Sequence, residues 1–300
     1  FESSEGQSKD IFDKFLRHYW VATYKQIYKN ALYSEFKKKL HQFNDASELI
    51  ELLADLSDAA SFYMSIRLQS LKNDSHLYLR TVDTQLVERF NEFGVLNNEQ
   101  IYIVILYFRK LLKGYPKQIQ TSFYKKWLDS LWKVSFRLKY VSVSPSDFEK
   151  EIFKYIRSIG AKLKEPDIDI GSAVESSTKN FVKNQTWPLV SNRDQFIEEI
   201  NQKLVYSNST VKLLTKVFTD VFNSEKPTIA VNKPEIEHIL PQSPRKWGFD
   251  KTDIKNIVNN LGNLTLLSGK DNRDVNNESF EVKLKNYERS DFKLNKEIAK

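Results

Sequence analysis

The sequence has no cysteine in its 300 residues. That excludes disulfides, thiolate nucleophiles and cysteine-ligated zinc, and it fits a reducing compartment. Long apolar runs are missing too. The longest, Ile101 to Phe108, is eight residues, whereas a membrane-crossing helix needs about 20, so no membrane partner is expected. No signal-peptide pattern opens the chain. It begins at Phe1 rather than Met and reads as a piece of a longer protein. There is no repeat of solenoid length and no low-complexity tract. Histidine is scarce, with His18, His41, His76 and His238 making the full set.

What is present suits an ordinary folded protein. Three hundred residues allow two globular units, and an aromatic share of 13% is enough to build sizeable cores. The net charge of +7 is unevenly spread. Between Leu106 and Val143 stand nine basic residues, including Lys125, Lys126, Lys133 and Arg137, opposed only by Asp129. Aromatics are interleaved with them at Phe123, Tyr124, Trp127, Trp132, Phe136 and Tyr140. Two readings of this stretch are open. One is an amphipathic helix pair with wet lysines and core aromatics; the other is a nucleic-acid track.

Apolar spacing predicts helices through residues 1–164. Asn44, Asp45 and Ser47 offer caps ahead of Leu49, Leu52, Leu53 and Leu56. Thr81 to Phe93 and Asn97 to Leu112 continue the pattern, with breaks expected around Gly94 and at Gly114-Tyr-Pro116, and Ser144-Pro145 opens a further helix. Residues 165–180 carry Pro, Gly and Ser without a helical stripe and read as a linker. Helices follow over Asp194 to Leu204 and Thr210 to Val221. Short strand-like runs then appear at Thr228 to Val231, Glu235 to Leu240 and Asn263 to Leu267, with helical spacing from Glu278 to Tyr287. The expected fold class is mainly α: a helical N-terminal region, then a small α+β domain over 181–300 with a ββα core at about 228–292.

The tail also carries the chemistry. Glu237-His238-Ile-Leu-Pro241 sets a carboxylate beside the only histidine of the last 220 residues. Neighbouring side chains on a strand face opposite ways, so the two meet at one site only if the chain bends there; Pro241 and Pro244 could supply the bend. Asn263 and Asn272 follow in order. Phosphodiester hydrolysis needs a neutral imidazole as base, a hard cation with oxygen ligands, and a polar group that holds the imidazole's tautomer. His238, the oxygens of Glu237 and Asn272, and the Asn263 amide carbonyl are the candidates. So few protein ligands favour Mg²⁺ or Mn²⁺ over zinc. His18, on an aromatic helix face, reads as packed rather than as a ligand, and His41 and His76 have no evident partners. Trp187, Trp247 and Leu261 read as core.

The order Glu-His-x-x-Pro, Asn-Leu-x-Leu, then Asn nine residues on resembles the HNH (ββα-metal) nucleases. It is most similar to the C-terminal nuclease domain of GmrSD-type modification-dependent restriction enzymes and the related SspE defence proteins. The residues that carry this likeness are Ile236 to Gln242, Trp247, Leu261 to Leu266, Phe280 with Lys283, Tyr287 and Ser290. The resemblance implies His238 as general base, Glu237 and Asn272 as ligands of a divalent metal, Asn263 as the orienting residue and Lys283 as a candidate phosphate contact. It implies a cytoplasmic prokaryotic endonuclease of an anti-phage restriction system, acting on phage or other foreign DNA, modified or not. The family's N-terminal nucleotide-hydrolysing sensor domain has no counterpart here and is expected upstream, and assembly into a homo-oligomer is left open. The rival reading is a non-catalytic helical module that binds DNA or protein and ends in a degenerate HNH-like tail.

Overall fold

The computed structural model describes residues 2–67, 84–96, 98–140, 143–183, 193–203, 206 and 235–300. The expected strand at Thr228 to Val231, the helix at Thr210 to Val221, Trp187 and His76 lie outside the described residues. The chain divides into two compact units, residues 1–191 and 192–300. It is mainly α, as its apolar spacing indicates. No helix among the described residues is long and apolar enough to cross a membrane.

The first unit contains α1 (Glu2–Thr23), α2 (Leu32–Leu40), α3 (Ala46–Arg67), α4 (Thr84–Leu96), α5 (Ile101–Leu111), α6 (Lys117–Tyr140), α7 (Pro145–Lys162) and α8 (Ile170–Lys183). The eight-residue apolar run is the body of α5, which packs against α1, α3 and α7. A helix apolar all round must be covered on every side, which makes α5 the axis of this core. Tyr63 is fully buried between Phe15 and Tyr102, with ring centroids 5.4 and 5.3 Å away.

Local signals place several helix ends. Ser144 caps α7 by accepting the Asp147 N–H at 3.1 Å, with Pro145 in the first turn. Asp45 accepts the Ser47 N–H at 2.9 Å ahead of α3. One expectation shifts and one needs correction. The break expected around Gly94 falls just beyond it: α4 runs through Gly94, where one glycine costs only about 1 kcal/mol, and ends at Leu96, ahead of α5 at Ile101. Residues 165–180 are not a linker throughout: from Ile170 onward they belong to α8. Asp169 accepts from the Ser172 N–H (3.0 Å) and hydroxyl (2.7 Å), and Ala173 and Val174 are fully buried. The small polar residues that suggest a linker are paired with α7: Tyr155 with Thr178 at 2.7 Å, and Ser158 with Ser177 at 3.0 Å.

The second unit opens with α9 (Arg193–Gln202), followed by β1 (Glu235–His238), β2 (Leu264–Leu267), α10 (Gly269–Val275), α11 (Phe280–Arg289) and α12 (Lys293–Ile298). The strands are antiparallel, and the register sets Glu237 opposite Thr265 and His238 opposite Leu264. Ser268 caps α10 by accepting the Asp271 N–H at 3.1 Å. Leu267, Val275 and Tyr287 form the buried core, with Ile239, Leu284, Ile298 and Ala299 packed on it. Asn295, fully buried, ties α12 to β2 by donating to Leu266 O at 2.6 Å and accepting from the Thr265 hydroxyl.

Candidate active site

Strand β1 continues through His238, so Glu237 and His238 project to opposite sides. The bend needed to bring them together comes after both. Their partners differ accordingly.

Glu237 is buried, and its Oε1 accepts from the ammonium of Lys283 and, at 3.4 Å, from the Tyr287 hydroxyl. Lys283 also donates to the His238 carbonyl at 2.7 Å. One ammonium therefore clamps the end of β1 to α11. Burial pushes the Glu237 carboxyl above its ordinary value, and Lys283 and Tyr287 pull it back down. The Tyr287 phenol is likewise pushed up, first by burial and then by the nearby carboxylate.

Lys283 is 0% exposed, and its ammonium matches the charge of the buried Glu237 carboxylate. Asn272, on α10, donates instead to Glu235 Oε2 at 2.9 Å. Glu235 is three residues from His238 on the strand and on the opposite side from it. The two expected ligands thus have separate partners, and the donor set does not form a shared cation pocket beside the imidazole. Among the described residues no three His, Asp or Glu side chains gather as a metal cluster.

His238 faces a different set. Its Nε2 lies 3.0 Å from Asn259 Oδ1 and 3.2 Å from Gln242 Nε2, and the Tyr206 ring sits edge-on with centroids 4.5 Å apart. Burial holds this imidazole below its ordinary value. The Asn259 contact opposes that shift and the Lys283 charge adds to it. Burial thus favours the neutral ring that a general base requires.

Asn263 does not touch the imidazole, so its amide carbonyl does not hold the tautomer. Its Oδ1 accepts from Leu240 N at 2.7 Å, and its Nδ2 donates to Leu240 O at 2.9 Å and Val258 O at 2.8 Å. It pins both ends of the segment between the strands. Asn259 and Tyr206 are the residues that sequence reasoning missed. Gln242 stands inside the quoted motif but had no role. Asn259 carries no spacing signal, since an asparagine ahead of Asn260-Leu-Gly reads as an ordinary turn. Trp247 is half-buried rather than core: it packs on Phe280 at 5.7 Å and donates to Glu278 O at 2.8 Å.

In the first unit six of the nine basic residues between Leu106 and Val143 lie on α6. Lys126 pairs with Glu175 at 3.1 Å and Lys133 with Asp129 at 2.8 Å. Lys125 is exposed and Arg137 half-buried. Lys125, Lys126, Lys133 and Arg137 thus share one helix, and acids answer part of its charge. His18 is packed, as expected, with Nδ1 3.0 Å from the Tyr63 hydroxyl.

No curated protein and no solved structure matches the chain. One family model does, described as GmrSD restriction endonucleases, C-terminal domain, over residues 190–300. That span covers β1, β2 and every contact of His238 given above, so the last third of this chain is a GmrSD-type C-terminal region, related to restriction endonucleases.

Proposed function

We propose that the second unit is a DNA endonuclease in which His238 activates water for phosphodiester hydrolysis, within a modification-dependent restriction system directed at foreign DNA in a prokaryotic cytoplasm. The observation that carries this reading is the environment of His238: a buried, neutral imidazole with two amides at one ring nitrogen, inside the matched region.

Those amides suit a base that cycles. With Nε2 unprotonated, the Gln242 amide N–H donates to it; with Nε2 protonated, Asn259 Oδ1 accepts from it. Attack requires water to take the place of Gln242 at the Nε2 lone pair. Asn263 holds the flanking backbone, and Lys283, through the His238 carbonyl, fixes the strand end that presents the ring. Dependence on Mg²⁺ or Mn²⁺ belongs to the same proposal. It is supported by the HNH resemblance and not by the donor set, so no step here runs through a metal. Such a cation, when bound, would stabilise charge on the phosphate and the leaving oxygen.

The test is plasmid cleavage with Mg²⁺ or Mn²⁺ and with chelator, comparing wild type and His238→Ala. Metal-dependent nicking or cutting that His238→Ala abolishes supports the proposal. Wild type that binds DNA and never nicks it overturns the enzymatic reading. The rival, a binding module with an inactive tail, draws on one observation: both expected ligands are engaged by other side chains.

A further inference from the structure

The segment between the strands contains a second feature of the same unit, a cleft of about 500 Å³ lined by Ser243, Arg245, Lys246, Asp250, Lys251 and Asn277. We propose that this cleft is a backbone-phosphate subsite for the strand cut at His238; the proposal rests on the nuclease reading for the identity of the strand.

Three observations carry it. The first is position: the wall begins at Ser243, one residue after Gln242, whose amide touches His238 Nε2. The wall of the cleft is thus joined directly along the chain to a residue in contact with the base.

The second is charge. Three of the lining side chains are cationic and Asp250 is the one carboxylate. Lys246 is paired with Glu278 at 2.6 Å. Neither Arg245 nor Lys251 has an acidic partner in hydrogen-bond reach among the described residues, and both are exposed. This contrasts with α6, where Lys126 and Lys133 are answered by acids. A guanidinium and an ammonium with no ion-pair partner among the described residues, set in a concave wall, are suited to phosphate oxygens.

The third is construction. The wall is a 3₁₀ turn, Pro244–Trp247, ended by Gly248 at φ 78°, a conformation that favours glycine. The Trp247 indole N–H donates to Glu278 O at 2.8 Å, one residue beyond Asn277 on the far wall. The two walls are therefore held together before any ligand arrives, which lowers the ordering cost of binding.

The experiment measures binding of the full chain to a fluorescent DNA duplex as salt is varied, in a His238→Ala background so that cleavage cannot intervene. The variants are Arg245→Gln with Lys251→Gln, and the charge-keeping pair Arg245→Lys with Lys251→Arg. Unfolding curves check that each is folded. The neutral pair is expected to weaken binding roughly tenfold and to lower the slope of log affinity against log salt by about 1.8, while the charge-keeping pair retains most of both. Binding and slope unchanged in the neutral pair overturn the subsite, even if wild type cleaves DNA. Lost binding in the neutral pair upholds the subsite even if wild type fails to cleave, in which case the nuclease reading alone falls.

Discussion

Two buried histidines, one in each unit, separate burial from function. His18 is 3% exposed and His238 9%, and burial lowers the pKa of both. His18 sits in an aromatic core against Tyr63, with the charges of Arg17, Arg67 and Lys14 adding to the lowering, and is driven down to about 3. Its ring partner is the Tyr63 hydroxyl, and the cations nearby oppose a further positive charge. His238 has an amide oxygen at Nε2 that favours the protonated ring and an amide nitrogen that favours the neutral one. Desolvation makes a histidine neutral. Partners for both protonation states are what suit it to move a proton.

The largest test of this contrast is catalytic. His238→Ala should lower the cleavage rate about 10²–10⁴-fold, whereas His18→Ala should leave the rate per folded molecule within about twofold, despite lost stability. Initial rates of supercoiled-plasmid relaxation, corrected for folded fraction, measure both. A large loss in His18→Ala at full folding breaks the comparison.

Next comes the clamp behind His238. Lys283→Met leaves the Glu237 carboxylate buried and unpaired, and should cost the second unit about 3–5 kcal/mol. The paired change Glu237→Leu with Lys283→Met should recover most of that loss. Urea unfolding followed by Trp247 fluorescence, against a Trp247→Phe control, reads this unit. If Glu237 were instead a metal ligand, Glu237→Gln would alter the metal requirement and leave stability little changed.

The first unit should show the acid sensitivity that a buried neutral histidine imposes. The folded pKa of His18 lies below its unfolded value, so the unfolded chain binds the proton more tightly. The stabilising contribution is complete above about pH 6.5 and is lost as pH falls from there toward 3. Between pH 7.5 and 5 the loss is about 2 kcal/mol. Thermal unfolding at the two pH values should show it in wild type and show it flattened in His18→Gln.

The smallest effect is expected on α6. Reversing Lys125, Lys126 and Lys133 to glutamate should weaken DNA binding and flatten its salt dependence, less than the neutral pair in the cleft does, because Glu175 and Asp129 already answer two of the three lysines. Binding and salt slope left unchanged by the reversal would return these residues to an ordinary solvated face.

Much of the architecture was legible beforehand because it depends on near neighbours along the chain. The Ser144-Pro145 cap, the strands at Glu235–His238 and Leu264–Leu267, and the helix Phe280–Arg289 all follow from local patterning. Helix α8 was not legible, since its serines and threonine look like linker residues until α7 provides hydroxyl partners.

The runs Ile236 to Gln242 and Leu261 to Leu266, with Trp247, Phe280, Lys283, Tyr287 and Ser290, were sufficient by themselves to mark the tail, with its Glu237, His238, Asn263 and Asn272, as a GmrSD-type region. The assignment of their contacts was a tertiary matter. Strand alternation sends Glu237 and His238 apart, and the choice of partner falls to residues distant in the chain: Lys283 for Glu237, Asn259 for His238, Glu235 for Asn272. A buried charge must find an opposite charge wherever the fold brings one within reach. Motif spacing names the residues that act together, but only packing decides which of them are left open to act.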